Sequence, residues 1–321
     1  MNPKACDSQL PNIPHWGRRL IVGFTGPDLP QWLSQMAHHC GLGGVILFDT
    51  CVYRKSNWNN IISPEQLKQL ISQIHSLPGR PKVFIDQEGG KVRRLKEDRG
   101  FSFLPSAKDY ALMAPKTRKD FLRRAFEELA QLGVDVNLAP VIDVLYDENS
   151  ADIGRYDRSF SSRVDVVREC AWEWIEMAKD YQIELCLKHF PGLGGAQQNS
   201  HEALTYLKEV PQEQLALFLE LIPHVPGHFL LVSHAHYPPL DPVHPLSVSS
   251  QAVGYLKSHF PKVQIVTDDL QMKGLMHRMT LVEAIHSALK AGVDYLCIGN
   301  NLRDDSVALQ DLIFSERPQS P

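Results

Sequence analysis

Short apolar runs alternate with longer amphipathic ones along most of this chain. The short runs cover residues 20–24 (LIVGF), 44–48 (GVILF), 82–86 (KVFID), 134–140 (VDVNLAP), 183–190 (IELCLKHF), 229–235 (FLLVSHA), 263–269 (VQIVTDD) and 294–300 (DYLCIGN). Each is rich in Val, Ile, Leu or Phe and nearly continuous in apolarity, as strands covered on both faces of a parallel sheet are. Helical periodicity fills the intervals, at 30–40, 64–77, 117–132, 164–181, 211–221, 250–260 and 281–291. Local signals agree with these spans. Ser63 and Pro64 form an N-cap followed by proline at the first helical position, and Gly133 and Gly292 stand just past a last helical turn.

Eight strand–helix units in 321 residues predict an α/β fold, a (β/α)8 TIM-type barrel. The expectation is a single domain over 1–321 with a short irregular lead at 1–18. An open doubly wound sheet is the alternative. It would carry a glycine-rich turn after its first strand, and GFTGPDLP matches G-x-G-x-x-G poorly. The Pro-rich segment HYPPLDPVHPLS reads as a long loop after the sixth strand, not as a linker.

Composition narrows the function. The 43% hydrophobic content suffices for a large core, and a net charge of -4 with no basic face argues against nucleic acid. The longest basic cluster, Lys91 to Lys96, reads as a solvated or substrate-facing turn. Six cysteines (Cys6, Cys40, Cys51, Cys170, Cys186, Cys297) lie far apart with no C-x-x-C pair, and they read as small buried hydrophobes. No apolar signal region and no run near the roughly 18 apolar residues of a spanning helix stand in the chain. The expectation is a cytoplasmic protein with no membrane partner.

In such barrels the chemistry sits at the C-terminal ends of the strands. Strand three ends in Asp86 and QEGGKVRR, strand five in Lys188 and His189, and strand six in Ser233 and His234. Strand seven ends in Asp268 and Asp269, and strand eight in Asn300 and Asn301. Each has a plainer explanation. Asp86 with Gly89 and Gly90 could be only a turn. Lys188 and His189 could be a buried ion pair and a core histidine. One of Asp268 and Asp269 could cap the next helix, but neighbouring strand residues point opposite ways, which leaves the other facing the pocket. His201, in QQNSHEAL, could be a surface histidine. His234 and His236 are i, i+2 without a matching Cys or Glu set, so no metal is expected, and no cofactor.

Together the motifs GGVILF, DQEGGKVRRL, LAPVIDV, DRSFSS, KHFPGLGG, NSH and VTDDLQM, each in its place along residues 20–301, resemble glycoside hydrolase family 3. The likeness is greatest to its single-barrel β-N-acetylglucosaminidase (β-hexosaminidase) branch. The resemblance implies a retaining, two-step hydrolysis of terminal non-reducing β-N-acetylglucosaminides. Asp268 in TDDL would be the nucleophile. His201, on the loop after strand five, would be the acid/base, a task suited to a group that titrates near neutral pH. Asp86, Arg94, Arg158, Lys188, His189 and His234 would hold the sugar through charge-assisted hydrogen bonds. The implied partner is a β-linked N-acetylglucosamine-containing saccharide or muropeptide from peptidoglycan recycling, met by a monomer or weak dimer.

Departures from the family pattern matter. Asn199 stands where relatives carry the Asp that holds the histidine, and Leu193 where they often carry another histidine. In a serine-protease triad the equivalent Asp→Asn change costs about 10⁴ in kcat, although Asn can still orient an imidazole. The segment before Arg158 is about two residues longer than usual, and the chain ends soon after the eighth helix. An insertion at 49–60 carries Tyr53, Arg54 and Trp58, which could shape an aglycone subsite or be a surface elaboration. These changes raise the alternative of a sugar- or muropeptide-binding relative with weakened catalysis; a histidine acid/base, which tolerates an anionic acceptor better than a carboxylate does, raises that of a related glycosyltransferase or phosphorylase.

Overall fold

A computed structural model describes residues 16–50, 59–198 and 203–299. All eight apolar runs form strands there. They are β1 (Leu20–Val22), β2 (Gly44–Leu47), β3 (Lys82–Ile85), β6 (Val136–Asn137), β7 (Glu184–Phe190), β8 (Phe229–Val232), β9 (Gln264–Thr267) and β10 (Leu296–Ile298), with a hairpin of β4 (Gln87–Gly89) and β5 (Val92–Arg93) after β3. The eight long-sheet strands lie in the order β10-β1-β2-β3-β6-β7-β8-β9. Every pair within this order is parallel. At the remaining seam Val266 bridges Tyr295, and Cys297 N–H donates to Thr267 Oγ1 at 3.0 Å. The sheet therefore curls into the expected barrel, and the doubly wound alternative, which needs a reversal of strand order, is excluded.

The helices are α1 (Gln31–His39), α2 (Pro64–His75), α3 (Ala107–Leu112), α4 (Pro115–Leu132), α5 (Val164–Tyr181), α6 (Gln212–Leu221), α7 (Ser250–His259), α8 (Lys273–Met276) and α9 (Leu281–Ala291). Ser63 caps α2 by accepting from the Gln66 amide, and Gly133 and Gly292 close α4 and α9 at φ 88° and 91°. The sequence pattern did not anticipate α3, α8 or the β4–β5 hairpin; all are too short to show a period.

Two apolar clusters divide the core. One packs strands against helices. The other fills the barrel itself and includes Ile21, Ile46, Phe84, Val136, Cys186, Phe229, Val266 and Cys297. Phe84 and Phe229 meet edge to face at 5.8 Å, and the Tyr295 ring lies 6.1 and 5.5 Å from them. Burying an aromatic ring of this kind contributes about 1.5–3 kcal/mol. Cys170, Cys186 and Cys297 are buried free thiols and Cys40 is half-buried, while Cys6 and Cys51 lie outside the described residues. Among the described residues no helix is long and apolar enough to cross a membrane.

This interior packing positions the chemistry. Side chains alternate along a strand. Asp86, Lys188 and Asp268 each come two residues after an interior residue (Phe84, Cys186 and Val266), so they stand on the same side one layer higher, at the C-terminal mouth.

Candidate active site

The mouth is built outward from β3. Asp86 closes the strand, and the β4–β5 hairpin turns the chain back so that Arg94 returns to it. Gly89 makes that turn possible. Its φ is 103°, and a Cβ there would lie 2.0 Å from the Pro105 carbonyl oxygen. The hairpin is then locked by amides. Gln87 Oε1 accepts from the Arg94 and Leu95 N–H groups at 3.0 and 3.1 Å, and Asn137 on β6 pairs with both the N–H and the carbonyl of Gln87.

Arg94 lands in a chain of alternating charges. Lys96 Nζ lies 2.5 Å from Asp49 Oδ2, and Asp49 Oδ1 is 3.5 Å from Arg94 Nη1. Arg94 Nη2 donates to Asp86 Oδ2 at 2.9 Å, and its guanidinium lies 5.0 Å from the centre of the Phe48 ring. Lys188 Nζ donates to Asp86 Oδ1 at 2.8 Å and sits 2.5 Å from Glu88 Oε1. Glu88 in turn takes both arms of Arg158, from Nε and Nη2, at 2.8 Å each. Burial alone would push the Asp86 carboxyl up, but Lys188 and Arg94 outweigh it and hold the group well below the usual carboxylate range. Burial likewise raises Glu88, and Arg158 and Lys188 reverse this to bring it down to about 2. Lys188 is itself raised, because Asp86 and Glu88 overcome its desolvation.

The chain continues into a histidine with a defined tautomer. Arg158 Nη2 donates to His189 Nε2 at 3.1 Å, so the proton is on Nδ1, which donates to Asp143 Oδ2 at 2.7 Å. Asp143, on the segment after β6, also accepts from the His189 N–H at 3.2 Å and from the Leu193 N–H at 2.9 Å. It thus ties the end of β7 to the start of the following loop. Leu193 is buried in the outer core, so position 193 adds no polar side chain to that loop.

Of the residues expected to bind sugar, the structure brings Asp86, Arg94, Lys188, Arg158 and His189 into one connected network. His234 departs from the expectation. Its Nε2 donates to the Asp269 carbonyl at 2.8 Å and its Nδ1 accepts from the Ser247 hydroxyl at 2.6 Å. Both ring nitrogens are committed within the protein, so His234 supports the Asp268–Asp269 backbone and has no nitrogen to offer a sugar. Asp268 is half-buried, and its Oδ1 accepts from the Asp269 N–H at 2.9 Å; Asp269 Oδ1 accepts from the Gln271 N–H at 3.0 Å and makes the turn. Asn199 and His201 lie outside the described residues, as do Tyr53, Arg54 and Trp58.

Sequence reasoning gave no role to Glu88, Asp143 or Asp49, and took Lys96 only as part of a solvated or substrate-facing turn. A signal existed for two of them. Glu88 is two residues from Asp86 and shares its side of the chain, and Asp143 is an acid inside the apolar run VIDV. Among the described residues no cluster of three or more His, Cys, Asp or Glu side chains could hold a metal.

With this geometry in view, comparison with known proteins is decisive on family. The profile of the glycosyl hydrolase family 3 N-terminal domain matches residues 27–314. The chain belongs to glycoside hydrolase family 3. This glycoside hydrolase is 32% identical over 302 residues to a β-hexosaminidase of Alkalilimnicola ehrlichii, covering 88% of this chain and 80% of that one. It superimposes on NagZ from Neisseria gonorrhoeae, solved with N-trifluoroacetyl-D-glucosamine, with a TM-score of 0.77 and 25% identity, over 94% of this chain and 86% of that one. A family 3 β-N-acetylglucosaminidase from a Paenibacillus strain shares the fold at a TM-score of 0.81 and 24% identity. There the match covers 95% of this chain, which spans 58% of the length of that one.

Proposed function

We propose that this family 3 hydrolase is an exo-acting, retaining β-N-acetylglucosaminidase that releases terminal N-acetylglucosamine from peptidoglycan-derived saccharides or muropeptides in the cytoplasm. Asp268 attacks the anomeric carbon and forms a glycosyl-enzyme. His201 protonates the leaving oxygen, then takes a proton from the water that frees the sugar. Asn199 orients the imidazole in place of a carboxylate.

The observation that carries this reading is the placement of Asp268 relative to Asp86. β3 and β9 are separated by three strands in either direction around the barrel, so the two residues face one another across its mouth. A pyranose with C1 at Asp268 then points its far hydroxyls at Asp86, whose oxygens are arranged by Lys188 and Arg94. Asp86 and Glu88 are held ionised by their cations and suit hydroxyl recognition, not proton donation. The acid must come from elsewhere, and His201 on the loop after β7 has the chemistry for it.

A second reading, a relative that binds sugar with weakened turnover, draws on the burial of Leu193 together with Asn199. One assay separates the two: hydrolysis of an aryl β-N-acetylglucosaminide by the wild type, Asp268→Ala, His201→Ala and Asn199→Asp. The expected result is an active wild type, a silent Asp268→Ala and a faster Asn199→Asp. A silent wild type that still binds N-acetylglucosamine overturns the hydrolase mechanism in favour of the second reading.

A further inference from the structure

Asp49 has no assigned role, yet it occupies a defined place in the mouth. It follows β2, the neighbour of β3, and so lies on the Asp86 side, opposite Asp268. Its side chain is 3% exposed, while the two cations it meets, Arg94 and Lys96, are 21% and 35% exposed. Its Oδ1 is buried with no hydrogen-bond partner, as is Arg94 Nε. An acceptor left this way is costly unless another function retains it.

Without Asp49, Arg94 and Lys96 would form an open guanidinium–ammonium pair at the far edge of the sugar bed, the arrangement that captures phosphate or carboxylate. With Asp49 in place, its carboxylate takes the anion's position from beneath. The alternating chain then balances: Lys96, Arg94, Lys188 and Arg158 stand against Asp49, Asp86, Glu88 and Asp143. We infer that Asp49 is a specificity-determining residue, a built-in anion that reserves the far edge of the pocket for neutral hydroxyls and excludes sugars with an anionic substituent there. The inference rests on the reading that C1 of the sugar meets Asp268. Discrimination of this kind works by repelling the wrong ligand as much as by attracting the right one.

The test is calorimetric binding of N-acetylglucosamine and N-acetylglucosamine 6-phosphate, which needs no turnover. Wild type should bind the neutral sugar at least tenfold more tightly. Asp49→Asn should narrow that ratio at least tenfold. Lys96→Met changes a half-buried side chain at the rim, outside the packed core; it should widen the ratio about threefold or more. A ratio that stays within twofold of wild type in Asp49→Asn, or in Lys96→Met should Asp49→Asn fail to fold, overturns the inference while the sugar site stands. Binding of neither sugar by wild type overturns the site assignment and this inference together.

Discussion

Lys188→Met removes the cation at the centre of the network and keeps most of its aliphatic volume. Lys188 is 2% exposed, and its ammonium contacts Asp86 and Glu88 at 2.8 and 2.5 Å. Breaking a buried ion pair by deleting one partner costs about 3–5 kcal/mol. The displacement of Glu88 bounds one part of this loss. Glu88 is displaced from an ordinary 4.5 to about 2, which at 1.36 kcal/mol per pH unit is about 3 kcal/mol of folding stability in the ionised form. Arg158 supplies more of this than Lys188, so Lys188 accounts for under half of it, and with Asp86 also losing its ammonium the lower end of the ion-pair range, about 3 kcal/mol at neutral pH, is the expected loss. The sign of the pH dependence follows. A depressed carboxyl contributes its full stability above its unfolded value, near 4.5, and loses it as pH falls toward 2. In the variant Asp86 and Glu88 protonate at higher pH, and the neutral acids no longer need the ammonium. The gap between wild type and variant should therefore be widest at neutral pH and shrink on acidification through the 4.5-to-2 interval. Urea unfolding at about pH 7, 4 and 3 measures it. A loss under about 1 kcal/mol at pH 7, or a gap that does not change with pH, refutes the electrostatic account.

Two other substitutions probe the supports of the site. Gly89→Ala places a Cβ 2.0 Å from the Pro105 carbonyl at a φ of 103°; it should cost about 2 kcal/mol or more in thermal unfolding and lower sugar affinity by displacing Arg94. An unchanged melting temperature would show that the hairpin can relax. Asp143→Asn offers an amide N–H to the His189 Nδ1–H, which favours the other tautomer and sets an Nε2–H against Arg158 Nη2, now 3.1 Å away. The expected result is a lower kcat/KM through weaker sugar binding, with the tautomer read by nitrogen NMR; an unchanged tautomer contradicts the assignment.

The barrel was legible because its evidence is periodic. Eight runs of apolar residues name all eight strands, and α5 and α9 begin and end where the pattern says, since Gly292 and the neighbouring apolar faces leave little choice. What stayed hidden depends on contacts distant in sequence. Asp49 is only the first residue of an insertion until β2 is seen beside β3, and Lys96 is one charge of a solvated or substrate-facing turn until the hairpin folds it back over Asp49. His234 shows the opposite failure. Its place at a strand end suggested a ligand contact, but the Ser247 hydroxyl, supplied by a loop thirteen residues on, takes one nitrogen and the Asp269 carbonyl the other. Position at the mouth of a barrel brings a side chain near the chemistry, and only its hydrogen-bond partners say whether it is available.

That distinction also governs how the catalytic work is divided. In the Asp49–Asp86–Glu88 network every carboxylate meets at least one cation, and the two with resolved shifts, Asp86 and Glu88, lie well below the range in which they could give up a proton near neutrality. Such a network fixes hydroxyls by permanent charge and does not change protonation through a catalytic cycle. His189, with both nitrogens satisfied by Asp143 and Arg158, is equally unsuited to shuttling a proton. A retaining mechanism nonetheless needs one group that cycles between acid and base. If His201 is that group, proton transfer is confined to the loop after β7 and sugar recognition to the rigid rim. Asn199 and Leu193 then alter the loop's side of this division, so Asn199→Asp should change kcat and leave the affinity for N-acetylglucosamine nearly as it is.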